Sequence, residues 1–244
     1  SFGNDILVAG GISGDIVRST DNGSSFDNVT SPTGNALRGV SFGNDVFVAV
    51  GVSGTIVRST NNGSSFDNVT SPSGNNLSGV TFGNDIFLGV GRTGTIVRST
   101  DNGASWDNAT SPTTNNLSGV TFGNDVFVAV GQSGTIVRST NNASSFDNAT
   151  SPTGNNLNGV TFGNDIFLGV GQSGTIVRST DNGASWDNVT SPTASNLLGV
   201  TFDNDTFIGV GSSGAIVRST DNGSSFDNAT SPTGNALYGV TSTD

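Results

Sequence analysis

Six copies of one octet organise the chain, and the first copy reads Ser19-Thr20-Asp21-Asn22-Gly23-Ser24-Ser25-Phe26. The copies recur every 40 residues, and the later ones begin at Ser59, Ser99, Ser139, Ser179 and Ser219. Asn-Gly is a strong hairpin signal because both residues tolerate a positive φ. Apolar and β-branched residues precede the octet, and a similar run follows it as far as Thr30. The octet is therefore predicted to be a tight turn between two antiparallel strands.

The third octet position carries a short polar side chain that can accept hydrogen bonds from the backbone of the turn. This position is predicted to be structural, and its residues are Asp21, Asn61, Asp101, Asn141, Asp181 and Asp221. The aromatic residue that ends the octet is expected to anchor the returning strand in a core. Ala143 replaces the glycine in the fourth copy, and alanine is strained at positive φ. We expect the fourth octet to be the least regular.

The rest of each repeat predicts three further turns and a set of short strands. The repeat around residues 41–80 illustrates the pattern, with strands at 37–42, 46–50, 55–60 and 65–70. The second of these, Val46–Val50, is apolar at every position, which is typical of a strand that is buried on both faces.

Four short strands in every 40 residues are the period of a β-propeller. A β-solenoid would need atypical polar caps at its ends, and none is visible in the sequence. We therefore predict an all-β, six-bladed β-propeller with four antiparallel strands per blade, forming a single domain over residues 1–244. The terminal strand Leu237–Thr241 is predicted to complete the blade formed by residues 5–30 and so close the ring, which removes exposed sheet edges.

The octet pattern Ser-x-Asp-x-Gly-x-Ser-Phe/Trp resembles the Asp-box, also called the BNR repeat. This repeat occurs in sialidase-like, sortilin-type and photosystem II assembly-factor β-propellers, and the resemblance covers essentially the whole chain. It implies that the octet is the turn between the third and fourth strands of a blade, with a mainly structural role. Because the family contains hydrolases, receptors and assembly factors, the resemblance implies a fold rather than an activity. Asn61, Asn141 and Ala143 depart from the pattern and argue against a shared metal-binding role.

The composition excludes several classes of function. The net charge is -11 and there is no His, Cys or Met, so no cofactor and no metal site are predicted. The negative charge makes nucleic acid and anionic membranes poor partners. There is no long apolar run, so we expect no membrane insertion. The abundance of Asn, Ser, Thr and Gly is typical of an extracellular or cell-surface protein.

A catalytic role is not predicted. Ser-His and Cys-His nucleophiles are absent, and six near-identical repeats do not provide the unequal carboxylate environments that glycoside hydrolysis needs. A sialidase-like glycoside hydrolase is an alternative that the resemblance suggests, with an Arg cluster, a Tyr nucleophile with an acidic partner and an Asp acid/base. However, Tyr238 is the only Tyr. We expect the repeated arginine instead to pair with an Asp of its own blade; these arginines are Arg18, Arg58, Arg98, Arg138, Arg178 and Arg218.

In a four-stranded meander, the octets lie at one face of the ring and the Gly-x-Ser/Thr-Gly turns lie at the other, together with the Ser-Pro crossovers. The repeats differ mostly at this second face, at one turn position and at the second residue of the innermost strand. Drift at unconstrained positions would explain the differences, and so would a shallow binding surface. The candidate ligand-binding residues from these positions are Arg38, Arg92, Gln132, Gln172 and Tyr238.

Every repeat also carries an N-glycosylation sequon after the octet. The candidate acceptors are Asn28, Asn68, Asn108, Asn148, Asn188 and Asn228. The sequence as a whole favours a non-enzymatic recognition module that binds a glycan or a protein at the face opposite the octets. The alternative is a structural, self-assembling and glycosylated subunit of an extracellular filament or surface layer.

Overall fold

The structure is a computed structural model that describes residues 1–241. The chain divides into two compact units. The first holds residues 1–116 with 142–145, and the second holds residues 117–141 with those from 146 onward. Each unit contains three four-stranded antiparallel sheets, in which consecutive strands are neighbours. The predicted six sheets of four strands are thus confirmed, whereas the single domain over residues 1–244 stays a prediction.

The first unit contains sheets 1 to 3. Sheet 1 consists of β1 (Phe2–Gly3), β2 (Ile6–Gly10), β3 (Ile16–Ser19) and β4 (Asp27–Val29). Sheet 2 consists of β5 (Leu37–Gly43), β6 (Val46–Gly51), β7 (Ile56–Ser59) and β8 (Asp67–Val69). Sheet 3 consists of β9 (Leu77–Gly83), β10 (Ile86–Gly91), β11 (Ile96–Ser99) and β12 (Asp107–Asn108).

The second unit contains sheets 4 to 6. Sheet 4 consists of β13 (Leu117–Gly123), β14 (Val126–Gly131), β15 (Ile136–Ser139) and β16 (Asp147–Asn148). Sheet 5 consists of β17 (Leu157–Gly163), β18 (Ile166–Gly171), β19 (Ile176–Ser179) and β20 (Asp187–Val189). Sheet 6 consists of β21 (Leu197–Asp203), β22 (Thr206–Gly211), β23 (Ile216–Ser219) and β24 (Asp227–Asn228).

A short 3-10 turn joins the second and third strands of every sheet. The six turns are Ile12–Gly14, Val52–Gly54, Arg92–Gly94, Gln132–Gly134, Gln172–Gly174 and Ser212–Gly214. Each ends in a glycine with positive φ that packs against the backbone of the following crossover. A Cβ added to Gly174 would lie 1.9 Å from the carbonyl oxygen of Thr193, so only glycine fits there. Among residues 1–241, no helix is long and apolar enough to cross a membrane.

The second strands form the centre of the core, as their apolar sequences predict. Every residue of β6, β10, β14 and β18 is buried. Their phenylalanines pair with a phenylalanine of the first strand; for example, the ring centroids of Phe162 and Phe167 are 4.7 Å apart. The apolar clusters consist of residues from consecutive sheets, so each sheet is stabilised by burial against its neighbour within the unit.

The outer strands are shorter than the sequence predicts, because only two or three residues after the octet pair with the third strand. The length of the outer strand depends on the residue at one position. Repeats with valine there (Val29, Val69 and Val189) have an outer strand of three residues, whereas repeats with alanine have one of two residues. Valine packs well on a pleated surface, and Val69 pairs with Ile56.

The structure corrects the prediction that Leu237–Thr241 forms the closing strand of sheet 1. No strand is assigned to this segment, and sheet 1 takes its first strand from Phe2–Gly3. By the 40-residue period Thr241 would lie opposite Val8, but Ser1 occupies that place, because the amide of Val8 donates to the carbonyl of Ser1 at 2.9 Å. The terminal segment instead follows sheet 6. The amide of Leu237 donates to the carbonyl of Gly211 at 2.9 Å, and Gly239 lies beside Gly199.

Candidate functional site

The octets form a closed local hydrogen-bond network around the third residue. In the first octet, the hydroxyl of Ser19 donates to Asp21 at 2.7 Å and accepts the amide of Gly23 at 2.9 Å. The amide and hydroxyl of Ser25 both donate to the carboxylate of Asp21, at 2.9 and 2.6 Å. The carboxylate oxygens are thus used within the turn, which supports the predicted structural role.

Asn61 reproduces this network in the second octet. Its side-chain carbonyl accepts the hydroxyl of Ser59 at 2.9 Å and the amide of Ser65 at 3.0 Å, and its Nδ2 donates to the hydroxyl of Ser65. In the fourth octet, Ala143 has φ +57° and Asn142 has φ +56°, so the turn keeps the conformation of the other copies. The expected irregularity is therefore limited to strain in an unchanged turn.

Ala143 gives a stability prediction. Replacing Ala143 by Gly should raise the free energy of unfolding by about 1 kcal/mol, because alanine is strained in the left-handed region. The midpoint of thermal unfolding should rise by roughly 2–4 °C. The matched control is Ala104→Gly in the third octet, where the backbone is not left-handed and the change should destabilise the protein. Equal effects of the two changes would contradict the assignment of strain to Ala143.

Hydrogen bonds near the octets also join consecutive sheets within each unit. The Nδ2 of Asn44 donates to Asp85 at 2.9 Å and to the side chain of Asn102 at 3.0 Å. The repeated arginine reaches the next octet, since the Nε of Arg58 donates to the backbone carbonyl of Asn102 at 2.6 Å. Equivalent bonds link Arg18 to Asn62, Arg138 to Asn182 and Arg178 to Asn222.

These bonds correct the predicted pairing of each arginine with an Asp of its own blade. Arg58 and Asp67 are register partners on neighbouring strands, but the hydrogen bond of the guanidinium goes to a carbonyl of the next sheet. A backbone carbonyl offers the arginine a fixed acceptor, whereas an exposed ion pair contributes little. Arg98 differs and donates to the hydroxyl of Ser144 at 2.8 Å.

The octet carboxylates have lowered pKa values. The hydrogen bonds from Ser25 and then Ser19 lower the pKa of Asp21 to about 2. Those from Ser105 and Ser185 lower the pKa values of Asp101 and Asp181 to about 2, and the pKa of Asp221 is also lowered, first by the hydroxyl of Ser225. Hydrogen bonds to a carboxylate favour its charged form.

These shifts predict acid sensitivity with a defined sign. Because the folded pKa lies below the unfolded value of about 3.9, the octets stabilise the fold above pH 4 and lose this contribution as the pH falls towards 2. The quadruple variant Asp21→Asn, Asp101→Asn, Asp181→Asn and Asp221→Asn should therefore lose less stability than the unchanged protein as the pH falls over this range. Thermal unfolding from pH 5 to pH 2 measures the difference, and parallel curves would refute the prediction.

Clefts lie at the opposite end of the strands, where the 3-10 turns meet the crossovers. We call this the crossover end. In the first unit a cleft of about 430 Å³ lies beside the second 3-10 turn. Its lining is uncharged and comes from Thr33, Asn35, Ser53–Ile56, Asn68, Val69 and Ser71–Gly74. Hydroxyls, amides and backbone groups form the walls, and Ile56, Val69 and Pro72 supply apolar surface.

The polar walls of this cleft are held in place by internal hydrogen bonds. The Nδ2 of Asn35 donates to Thr55 at 2.8 Å, and the Nδ2 of Asn68 donates to the carbonyl of Pro32 at 2.9 Å. The hydroxyl of Ser71 donates to the carbonyl of Ser73 at 2.9 Å. An Asn side chain has two donors and an acceptor, so both amides retain capacity for a ligand. The cleft is therefore largely pre-organised.

The second unit contains the same cleft, with a volume of about 590 Å³. The residues correspond position by position, from Thr153 and Asn155 to Pro192, Thr193 and Ala194. The internal bonds correspond as well, because Asn155 donates to Thr175 at 2.8 Å and Asn188 to the carbonyl of Pro152 at 3.0 Å. We call these two sites the crossover clefts.

In the first unit the crossover cleft continues along the outer strand. A second depression of about 460 Å³ shares Asn68, Val69 and Pro72 with it and extends to Ala104 and Trp106 of the next octet. Trp106 is buried, and its indole N–H donates to the carbonyl of Gly103 at 3.1 Å. The two depressions together form an elongated groove.

The five candidate ligand-binding residues are exposed but do not line the crossover clefts. Arg92, Gln132 and Gln172 begin 3-10 turns. Arg38 lies at a β-bulge between β5 and β6, so it has no register partner in β6. Tyr238 is 80% exposed in the terminal segment. Their role in binding stays a prediction.

The crossover clefts were not predicted from the sequence, because the candidate binding residues were chosen at positions that differ between the repeats. The lining includes residues that are constant in all six repeats, such as Gly54, Ser71 and Pro72, and these look like ordinary turn residues. One signal was available. Among the repeats after the first, Val69 and Val189 alone occupy a position that holds Ala elsewhere, and both line a cleft.

The six sequon asparagines are exposed on the outer strands. The Nδ2 groups of Asn68, Asn108, Asn188 and Asn228 each donate to a proline carbonyl of the preceding crossover, at 2.9, 3.4, 3.0 and 3.1 Å. A glycan on Nδ2 would leave one N–H for this bond. Glycosylation therefore stays a prediction. Residues 1–241 contain no group of three or more acidic, His or Cys side chains placed to hold a metal ion.

No protein-family model and no curated protein matched the sequence. Solved structures did match. YCF48 bound to a D1 peptide is 17% identical over 91% of this chain and 76% of that one, with a TM-score of 0.73. YCF48 from Cyanidioschyzon merolae is 17% identical over 98% and 86%, with a TM-score of 0.77. The computationally designed Ika8 protein is 12% identical over 100% and 77%, with a TM-score of 0.78. Together with the six four-stranded sheets, these similarities establish the fold class as a six-bladed β-propeller.

Proposed function

We propose that this protein is a non-enzymatic recognition module that binds a protein partner through the crossover end. The observation that carries the proposal is the repetition of one uncharged, pre-organised cleft in both units. Ligand sites combine apolar surface with a few fixed polar groups, and the crossover clefts have both. The octets are the structural counterpart, in line with their resemblance to the Asp-box.

The shape of the groove favours an extended peptide segment. The crossover cleft of the first unit and the depression beside Trp106 share one wall, so a ligand can follow the outer strand from Ser53 to the next octet. The similarity to YCF48 bound to a D1 peptide supports a protein ligand at the level of fold. The extracellular location remains part of the proposal and rests on composition.

Arrays of 15-residue peptides and of oligosaccharides, probed with the purified chain, test the proposal. We expect selective binding to uncharged, extended peptides. A variant with Tyr at both Gly74 and Ala194 fills the crossover clefts and should lose this binding. Gly74 has open space around its Cα and Ala194 is exposed, so both positions accept the larger side chain.

The matched control carries Tyr at Ser64 and Ala184, two exposed octet positions at the other end of the strands, and should bind normally. Arg92→Ala and Tyr238→Ala report on the residues predicted from the sequence. Binding that survives in the filled variant, or binding to oligosaccharides alone, would contradict the proposal.

A further inference from the structure

The threonine that follows each outer strand can pair with the octet of the next repeat, and this junction has two forms. Two of the junctions carry an isolated parallel bridge, which joins Thr110 to Ser145 and Thr150 to Ser185. The other three lack a bridge within residues 1–241, and their equivalent residues are Thr30 and Ser65, Thr70 and Ser105, and Thr190 and Ser225. We call these junctions seams, which are closed where the bridge is present and open where it is absent.

The residue before the threonine distinguishes the two forms. It is alanine at both closed seams and valine at all three open ones, namely Val29, Val69 and Val189. Val69 pairs with Ile56, so the outer strand follows the third strand of its own sheet for one residue more. Ala109 lies outside β12, and the next residue pairs with the following octet instead. A β-branched side chain thus keeps the end of the outer strand on its own sheet, where valine packs well.

The open seam at Thr70 coincides with the depression beside Trp106. This depression of about 460 Å³ is lined by both Thr70 and Ser105, the residues whose equivalents form the bridge of a closed seam. Val69, Pro72 and Trp106 supply the apolar part of its wall. The depression therefore lies where a closed seam has its bridge, and it continues directly into the crossover cleft of the first unit.

The main chain at this open seam has unused hydrogen-bonding capacity. Thr70 is exposed, and within residues 1–241 neither its backbone nor its hydroxyl makes a hydrogen bond. The amide and the hydroxyl of Ser105 both donate to the carboxylate of Asp101, at 2.9 and 2.6 Å, so its carbonyl remains for a ligand. Main-chain donors and acceptors are what an extended peptide presents along its whole length.

We propose that a peptide binds the open seam between Thr70 and Ser105 by strand addition, and that Val69 determines that this seam is open. The inference rests on the proposed function and specifies how the peptide is held. The peptide backbone binds Thr70 and the carbonyl of Ser105 in place of the bridge, and an apolar side chain of the peptide packs on Val69, Pro72 and Trp106. In strand addition, main-chain hydrogen bonds give affinity and side-chain pockets give selectivity.

The second crossover cleft follows the same rule. It is lined by Val189, the valine that precedes the open seam between Thr190 and Ser225. Valine at this position thus accompanies a crossover cleft in each unit, and the inference assigns one peptide to each.

Disulfide formation reports the form of a seam without a ligand, because the chain contains no cysteine. A chain with Thr110→Cys and Ser145→Cys should form the disulfide readily, since bridged residues lie close enough for a disulfide to span them. A chain with Thr70→Cys and Ser105→Cys should form it about tenfold more slowly, because its seam is open.

Exchanging valine and alanine should exchange the two forms. Val69→Ala should raise the rate of disulfide formation at the open seam to that of the closed one. Ala109→Val should lower the rate at the closed seam. Val80→Ala is the matched control, because Val80 and Val69 pack against the same apolar cluster, and it should change neither rate.

Calorimetric titration of cysteine-free chains with the best peptide from the array tests binding at the seam. Val69→Ala should lower the number of bound peptides from about two to about one, whereas Val80→Ala should leave it unchanged. Val69→Ile keeps the β-branched side chain and should retain both peptides. Ala109→Val should add a site. N-methylation of the peptide amide that binds the seam should weaken binding by about tenfold.

The outcomes separate this inference from the proposed function. Equal rates of disulfide formation at the two seams, or a rate that Val69→Ala does not raise, would overturn the inference whatever the arrays show. Two peptides bound by the Val69→Ala chain would overturn it as well, although the proposed function would stand. If no peptide binds the unchanged chain, the proposed function fails, and the inference fails with it.

Discussion

Replacing Phe167 by Ala should lower the free energy of unfolding by about 3–5 kcal/mol. Phe167 is fully buried, and its ring centroid lies 4.7 Å from that of Phe162 and 6.5 Å from that of Trp186. The missing ring would leave a cavity in a cluster that also contains Val128 and Ile136. The midpoint of thermal unfolding should fall by roughly 10 °C or more.

The control for this prediction is the same substitution at Phe26, which is 49% exposed. Phe26→Ala should cost about 1 kcal/mol or less. Similar losses at the two positions would show that the apolar clusters between sheets do not dominate stability. That result would contradict the described packing.

Replacing Gly174 by Ala should cost about 2–4 kcal/mol. Gly174 has φ +71°, and an added Cβ would lie 1.9 Å from the backbone oxygen of Thr193. The turn and the crossover would have to separate, so the cleft of the second unit should open at the same time. The midpoint of urea unfolding should fall while its slope stays unchanged.

Gly154 is the matched control because a Cβ added there would have no neighbouring atom within 4 Å, and its φ is not left-handed. Gly154→Ala should be neutral or stabilise the protein by up to about 1 kcal/mol, because it restricts the unfolded chain. If both variants lose stability equally, close packing of turn and crossover is not the reason for Gly174.

The sequence predicts the strands well because their signals are local. Asn-Gly turns, alternating or continuous apolar runs and a constant period identify four strands in each repeat. The outer strand is the exception. Residues 65–70 look uniformly suited to a strand, but β8 covers only Asp67–Val69. The amide of Ser65 donates to the side chain of Asn61 within the octet instead of pairing with β7.

The contacts between sheets are less accessible to sequence reasoning. Arg58 and Asp67 look like an ion pair from their charges and register, yet the guanidinium binds the carbonyl of Asn102, 44 residues away. The terminal segment shows the same difficulty. Leu237–Thr241 has the composition of a first strand, but the amide of Leu237 donates to the carbonyl of Gly211 and Gly239 lies beside Gly199, so the segment follows sheet 6.

The crossover clefts could not be predicted from the most variable positions, because much of their lining is the same in every repeat. Gly54, Ser71 and Pro72 recur as turn residues, and only the three-dimensional arrangement shows that they surround a concave surface with Val69. Variation between repeats identified Arg92 and Tyr238, which are exposed but lie outside the clefts. Near-equivalent sites in one chain would bind a multivalent partner with increased avidity.

Calorimetric titration of the best peptide from the array tests the account most directly, because it counts sites as well as measuring affinity. We predict about two peptides per chain, about one in Gly74→Tyr or Ala194→Tyr alone, and no binding when both crossover clefts are filled. A stoichiometry and affinity that are unchanged in the doubly filled variant would contradict the assignment of binding to the crossover end.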